Sequence, residues 1–132
     1  MNLIIDQGNT YDKLALFKEG QILRKASIAQ AGGAAIEEFL NGSAPARALV
    51  STVTDDRLVQ ILQNRGGFEV HKLSATGPLP FIMKYKTLAT LGLDRVALAA
   101  AAFHQYPGKD CLVVDAGTSL TFDFIDRAGH YL

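Results

Sequence analysis

The feature that most constrains this chain is a short pattern that occurs twice, once near each end. Residues 3–8 read Leu-Ile-Ile-Asp-Gln-Gly, and residues 112–117 read Leu-Val-Val-Asp-Ala-Gly. An unbroken aliphatic run that stops at a polar residue is typical of a buried central strand. Each copy continues through a hydroxyl residue into a new strand pattern. The repeat therefore predicts two similar strand-turn-strand units, and repeats of this kind constrain the architecture of the whole chain.

The polar residues of the pattern suit the binding of phosphate groups. Asp6 and Asp115 would each end a buried strand, and the glycine two residues later lets backbone amides point at a phosphate. Thr10 and Thr118 add hydroxyl donors. An aspartate beside phosphate oxygens makes chemical sense if a cation lies between them. Two such loops facing each other would grip a nucleotide, whereas a single copy is equally well explained as a plain turn after a strand.

The remaining hydrophobic pattern predicts an α/β chain. The opening is a β-meander rather than a βαβ unit, because Glu19-Gly20 reads as a hairpin turn. The proline-containing stretch 74–91 has a weak pattern and predicts a functional loop. Predicted strands cover residues 3–5, 14–17, 22–28, 48–50, 68–73, 112–114 and 120–125, and predicted helices cover residues 34–40, 54–65 and 93–106.

Composition excludes several classes of protein. The 13 basic and 13 acidic side chains give a formal net charge of zero, which argues against a non-specific nucleic-acid binder. One cysteine excludes a disulfide framework and a cysteine-rich zinc site. The longest apolar run, residues 96–103, is far shorter than the roughly 20 residues that span a bilayer. Asp6 interrupts the first apolar run, so we expect no signal peptide and a cytoplasmic, globular protein without a membrane partner.

Three motifs follow one another along the chain. They are Asp6-Gln7-Gly8-Asn9-Thr10, then Tyr85 with Gly92-Leu93-Asp94-Arg95, then Asp115-Ala116-Gly117-Thr118 followed by Thr121, Asp123 and Ile125-Asp126. In this order and spacing they resemble type III pantothenate kinases, which belong to the acetate-and-sugar-kinase, heat-shock ATPase and actin superfamily. The resemblance implies a ribonuclease-H-like domain over residues 1–108, with a mixed sheet and flanking helices. Residues 109–132 would be the first hairpin of a second similar domain, after the break at Pro107-Gly108.

The same resemblance implies a role for each motif. Asp94 would be the general base, Arg95 would contact the carboxylate of pantothenate, and Gly92, Leu93 and Tyr85 would line the same pocket. Asp115 would bind a monovalent cation, and Thr118 would touch ATP. The first phosphate-binding loop would consist of Asp6, Gln7, Gly8, Asn9, Thr10, Tyr11, Asp12 and Lys13.

The implied reaction is transfer of the γ-phosphoryl group of ATP to the primary hydroxyl of pantothenate, the first step of coenzyme A synthesis. The implied cofactors are ATP with Mg²⁺ and a monovalent cation, K⁺ or NH₄⁺. The implied assembly of the full-length protein is a homodimer. The family is roughly twice this length, so we expect this chain to be a fragment that is inactive alone.

Simpler interpretations of individual residues remain open. Asp94 and Arg95 at a helix start are also explained as a carboxylate on the helix dipole beside a solvated arginine. Lys13 is equally well explained as an exposed strand residue. Thr87-Leu88 stands where the family often has an Asn-Pro-like step, which affects the loop shape. The alternative functions are another small-molecule kinase of the superfamily, or a non-catalytic regulatory accessory factor.

Overall fold

The chain divides into two units, Met1–Leu73 and Ser74–Leu132, in a computed structural model that describes residues 1–52, 54–117 and 119–132. Each unit has its own apolar core. The division falls earlier than the predicted domain boundary at residue 108, because Val96 and Ala99 share one buried cluster with Ile125 and Tyr131. Packing density and domain ancestry are separate properties, so the boundary at residue 108 stays a prediction.

The first unit is built on a five-stranded mixed sheet in the order β3-β2-β1-β4-β5. The first three strands form the predicted antiparallel meander, and β4 and β5 run parallel to β1. This arrangement confirms the mixed sheet expected of a ribonuclease-H-like unit, with the first copy of the repeat at its centre. The strands are β1 (Asn2–Gln7), β2 (Tyr11–Lys18), β3 (Gln21–Ala29), β4 (Arg47–Thr52) and β5 (Glu69–Lys72).

Two helices, α1 (Gly33–Leu40) and α2 (Arg57–Arg65), supply the apolar side chains that share the core with this sheet. Side chains alternate along β1, so Leu3 and Ile5 are fully buried in that core, while Asp6 between Ile5 and Gln7 is exposed. Asp6 therefore lies on the face of the sheet opposite to that core. None of the helices in the described residues is long and apolar enough to cross a membrane.

The second unit contains a four-stranded mixed sheet in the order β6-β9-β8-β7. The stretch predicted as a loop contains β6, which pairs in parallel with β9, and the Ile82 amide donates to the Gly129 carbonyl at 2.7 Å. A two-residue strand has no periodicity to detect, which explains why the sequence did not indicate it. The elements are β6 (Ile82–Met83), α3 (Leu93–Gln105), β7 (Cys111–Ala116), β8 (Leu120–Ile125) and β9 (His130–Tyr131).

Both copies of the repeat form the predicted antiparallel hairpin, with different registers. Gln7 pairs with Asp12 at the end of the first hairpin, and Ala116 pairs with Leu120 at the end of the second. The first connection is therefore one residue longer. As a result Lys13 lies opposite Asp6, whereas a threonine lies opposite the equivalent Asp115.

The two hairpins differ in how their apolar faces are covered. Leu3 and Ile5 are 0 % exposed, but their equivalents Leu112 and Val114 are 63 % and 51 % exposed. Phe122 of β8 is also exposed, at 57 %. In the first unit the apolar core covers Leu3 and Ile5. Within the described residues of the second unit, no helix covers Leu112 and Val114 in the same way.

Candidate active site

The connection between β1 and β2, which the sequence predicts as a phosphate-binding loop, is a tight turn closed by a backbone hydrogen bond. The amide of Gly8 donates to the carbonyl of Tyr11 at 3.2 Å. A Cβ atom on Gly8 would lie 2.5 Å from that oxygen, closer than side-chain carbons approach backbone, so only glycine fits. Asn9 and Thr10 are exposed at the tip. The loop thus offers amide and hydroxyl donors to solvent at the end of a buried strand.

A row of polar side chains crosses the first sheet beside this loop. The strand registers place Ser51, Asp6, Lys13 and Ser27 side by side on β4, β1, β2 and β3. Residues paired in register project from the same face of a sheet. Asp6 and Lys13 help to line an open depression of about 560 Å³ on that face. The row therefore brings a carboxylate, an ammonium group and two hydroxyls together on one face of the sheet.

Gln7 has a different position from the rest of the predicted loop, because its side chain is only 3 % exposed and points into the first unit. Its Nε2 donates to Thr54 Oγ1 at 2.9 Å and to Asp55 Oδ1 at 2.6 Å. Its Oε1 accepts the amide of Leu58 at 3.3 Å. Gln7 therefore ties the end of β1 to the start of α2, so it can shape the loop but presents no side chain to solvent.

Asp12 is the second buried member of the predicted loop, at 1 % exposure. Its Oδ2 accepts the Ala31 amide at 2.7 Å and Arg57 Nη2 at 2.9 Å, which forms an ion pair with one deeply buried partner. Its Oδ1 has no hydrogen-bond partner among the described residues. Asp12 thus holds β2 to α2, and any role at a phosphate site is one of position rather than contact.

The start of α3 presents the predicted base to solvent. Asp94 lies in the first turn of the helix and is exposed, and its Oδ1 accepts the amide of Arg95 at 2.9 Å. The preceding Gly92 occupies the N-cap position with an extended backbone, and the carboxylate of Asp94 folds back over it. A side chain at this position would displace the end of the Asp94 side chain from its present place. A solvent-open carboxylate at this point can reach a substrate hydroxyl.

Arg95 points toward β8, where it meets a buried carboxylate. Its Nε lies 3.0 Å from Oδ1 and 3.1 Å from Oδ2 of Asp123, and its Nη2 lies 2.6 Å from Oδ1. The side chain of Asp123 is 1 % exposed, and that of Arg95 is 21 % exposed. Hydrogen bonding to Asp123 raises the pKa of Arg95 above its usual value. The guanidinium is therefore a fixed, permanently charged group at the surface of the second unit.

Two tyrosines complete this cluster. The hydroxyl of Tyr131 donates to Asp123 Oδ1, and burial, together with that hydrogen bond, raises the pKa of Tyr131 above its usual value. Tyr85 stacks on Tyr131 with ring centroids 5.8 Å apart, and the guanidinium carbon of Arg95 lies 5.4 Å from the Tyr85 centroid. The structure thus brings together Tyr85 and Arg95, both predicted to line the substrate pocket, against Asp123 and Tyr131.

Sequence reasoning included Asp123 in a motif without giving it a role, and it did not single out Tyr131. The alternation along β8 carries a usable signal, because Thr121, Asp123 and Ile125 share one face and only the middle one is charged. A carboxylate on the inward face of a strand requires a partner. Tyr131 lies in a two-residue strand, so no pattern marks it as buried.

Asp115 lies near the end of β7, where the monovalent-cation prediction places a ligand. It is half-buried and pairs in register with Thr121, whose buried Oγ1 has no hydrogen-bond partner within the described residues. A carboxylate beside an unpartnered hydroxyl oxygen is a donor set that fits a hard cation. The predicted ATP contact, Thr118, lies outside the described residues. Among the residues described, no group of three or more metal-ligating side chains comes together.

Comparisons with known proteins give one consistent family. The family model described as type III pantothenate kinase matches residues 2–132. A type III pantothenate kinase from Bacteroides fragilis is 41% identical over 132 residues, which is 99% of this chain and 54% of the relative. The corresponding protein from Christiangramia forsetii is 39% identical over 136 residues, covering 100% of this chain and 55% of the relative.

More distant relatives carry the same description. A type III pantothenate kinase from Porphyromonas gingivalis is 30% identical over 133 residues, with 99% of this chain and 54% of the relative covered. The chain thus spans about half the length of the curated relatives that it matches. The match extends over both hairpins, the phosphate-loop sequence and the start of α3. The chain therefore belongs to the type III pantothenate kinase family.

Proposed function

We propose that the protein carrying this chain phosphorylates pantothenate with ATP. In this reaction the primary hydroxyl oxygen of pantothenate forms a bond to the γ-phosphorus, and the bond from that phosphorus to the β,γ-bridging oxygen breaks. The hydroxyl proton goes to a base, and ADP leaves with the bridging oxygen. The products are 4′-phosphopantothenate and ADP. Family membership and the geometry of the two hairpins and of α3 support this proposal.

The observation that carries the proposal is that an exposed carboxylate and an anchored guanidinium belong to consecutive residues of α3. Asp94 is an exposed carboxylate, and Arg95 is held by Asp123 beside the Tyr85 ring. In this proposal Asp94 accepts the proton of the attacking hydroxyl while Arg95 binds the carboxylate at the other end of the substrate. Such positioning places the hydroxyl near its base, which accounts for much of the rate gain in a two-substrate reaction.

The phosphate groups of ATP would be held by the Gly8 loop and by Lys13. Lys13 carries a positive charge opposite Asp6 in register, so this surface can accept both phosphate oxygens and a cation bound to them. Mg²⁺, when bound with ATP, neutralises phosphate charge, and Asp6 is the residue of the first unit that we assign to it. We assign the monovalent cation, K⁺ or NH₄⁺, to Asp115.

The proposal extends to assembly and location on the family resemblance alone. We propose a homodimer for the protein at the length of its relatives, and a cytoplasmic location, where ATP is supplied. Pantothenate and ATP are the proposed small-molecule partners.

An ADP-release assay tests the function directly. The protein encoded by the complete reading frame that carries this chain, called the complete product below, is incubated with ATP, Mg²⁺ and K⁺. Pantothenate, glucose and acetate are offered separately. The proposal predicts ADP release that depends on pantothenate and is near background with the other two. Release with a sugar or acetate would indicate another kinase of the superfamily, and no release with any acceptor would favour the regulatory alternative.

A further inference from the structure

The cluster around Arg95 contains a charged residue to which the proposed reaction assigns no role. Asp123 is the buried charged residue of β8, 28 positions from Arg95 along the chain, and its carboxylate meets the side of the guanidinium that carries Nε and Nη2. Taking a carboxylate out of water is costly unless it is paired and hydrogen-bonded. Both conditions are met here, because Arg95 and Tyr131 donate to it.

The geometry divides the guanidinium into an occupied side and an available side. Nε and Nη2 donate to Asp123, and Nη2 also lies 3.3 Å from the carbonyl of Phe122. Nη1 takes part in none of these contacts, and the Tyr85 side chain also approaches the guanidinium. Arginine presents its donors in a rigid planar fork, so fixing one edge also fixes the direction of the remaining N–H groups.

We infer that Asp123 is a positioning residue for substrate recognition, which holds Arg95 so that Nη1 meets the carboxylate of the acceptor substrate. This inference rests on the proposed function. Tyr131 supports the arrangement by donating its hydroxyl to Asp123 Oδ1, and the Tyr85 ring limits the guanidinium from one face. Ordering a flexible arginine before the substrate binds removes a cost that binding would otherwise meet.

A purely structural role for Asp123 gives a different expectation. If the ion pair only joined α3 to β8, its loss would lower the stability of the protein and would reduce kcat/KM for every acceptor substrate alike. If Asp123 acts through Arg95 on a carboxylate, its loss weakens only acceptors that carry one. N-methylpantothenamide keeps both hydroxyls of pantothenate and replaces its carboxylate with a neutral amide, so it separates the two roles.

The test is Asp123→Asn in the complete product, with kcat and KM measured for both acceptors. For pantothenate we expect KM to rise about 10- to 100-fold with kcat within about 3-fold of wild type, since a hydrogen bond to a charged group has this effect. For the amide we expect kcat/KM to change less than about 3-fold. The matched control is Asp126→Asn, which removes a carboxylate hydrogen-bonded to His130 and leaves Arg95 untouched. Asp126→Asn should preserve the ratio of kcat/KM for pantothenate to kcat/KM for the amide.

Tyr131→Phe decides the matter if Asp123→Asn fails to fold, because it keeps the ring and removes only the hydroxyl that donates to Asp123. It should raise KM for pantothenate about 3- to 10-fold and leave kcat/KM for the amide unchanged. Equal losses with the two acceptors, in either variant, would overturn the inference and leave Asp123 as a structural residue. A wild-type protein that phosphorylates neither acceptor would instead overturn the proposed function.

Discussion

The guanidinium of Arg95 lies against the carboxylate of Asp123, with Nη2 2.6 Å from Oδ1. This contact joins the first turn of α3 to the middle of β8. Asp94 precedes Arg95 in the same turn, so the contact also helps to fix the position of the exposed carboxylate. The buried Asp123 can in this way affect the positions of Arg95 and Asp94, which are both accessible to solvent.

The buried ion pair of the first unit gives a stability prediction. Arg57→Ala should lower the free energy of unfolding of this chain by about 2 kcal/mol, because it leaves the carboxylate of Asp12 buried with only the Ala31 amide as a donor. The Arg57 side chain is 33 % exposed, so we expect a smaller loss of stability than for a fully buried ion pair. Urea denaturation followed by circular dichroism measures the change.

The control for this prediction is an exposed ion pair of the same chain. Arg47 Nε lies 3.6 Å from Glu69 Oε2, and both side chains are more than half exposed. Arg47→Ala should change the free energy of unfolding by less than about 0.5 kcal/mol. Equal effects of the two substitutions would contradict the importance assigned to the buried pair.

The buried tyrosine of the second unit gives a pH prediction. Burial and the hydrogen bond to Asp123 raise the pKa of Tyr131, so the folded chain holds this proton more tightly than the unfolded chain does. The associated stability is fully present below about pH 10, the usual tyrosine value, and decreases as the pH rises above it. Tyrosinate absorbance should show a component that ionises above the usual tyrosine pKa of about 10.

A variant checks the assignment of that late ionisation. Tyr131→Phe should remove the late component, because it removes the hydroxyl whose pKa is raised. A late component that survives in Tyr131→Phe would show that another tyrosine is responsible.

The predicted base gives a kinetic prediction. Asp94→Asn in the complete product should lower kcat by about 10²- to 10⁴-fold, the usual contribution of a general base, while the affinity for ATP stays close to wild type. The amide keeps the size of the carboxylate and removes its charge and basicity. Turnover close to wild type would contradict the role of Asp94 as base.

The predicted cation ligand gives a prediction about salts. The complete product should be more active in K⁺ or NH₄⁺ than in Na⁺, because a cation at Asp115 offsets the repulsion between its carboxylate and phosphate oxygens. That repulsion is about 4 kcal/mol for charges 4 Å apart at an effective dielectric constant near 20. Asp115→Ala should remove the dependence on K⁺ together with most of the activity. Equal activity of the wild type in K⁺ and Na⁺ would leave Asp115 as a turn residue.

The strands and helices were predictable where local pattern and tertiary environment agree. The aliphatic runs before Asp6 and Asp115 indicated both hairpins, and the alanine-rich pattern indicated α3. The short strand β6 was not predictable, because two residues carry no period and their pairing with β9 depends on tertiary contacts.

Motif matching named the candidate site residues, whose roles stay predictions, but it gave no side-chain orientations. Motif matching named Gln7 and Asp12 as loop residues, yet the pleat of β1 and β2 turns both side chains into the first unit. The pleat of β8 turns Asp123 toward Arg95, a contact between residues 28 positions apart. Side-chain direction in a strand depends on which face is buried, and only the folded sheet settles that.

The most direct test of the central claim is the position of the transferred phosphate. The complete product is incubated with ATP, Mg²⁺, K⁺ and pantothenate, and the product is examined by phosphorus NMR. Transfer to the primary hydroxyl predicts a stable phosphate ester whose signal is split into a triplet by the two protons of the adjacent CH₂ group. A singlet from an acyl phosphate on the carboxylate, or no phosphorylated pantothenate at all, would contradict the account.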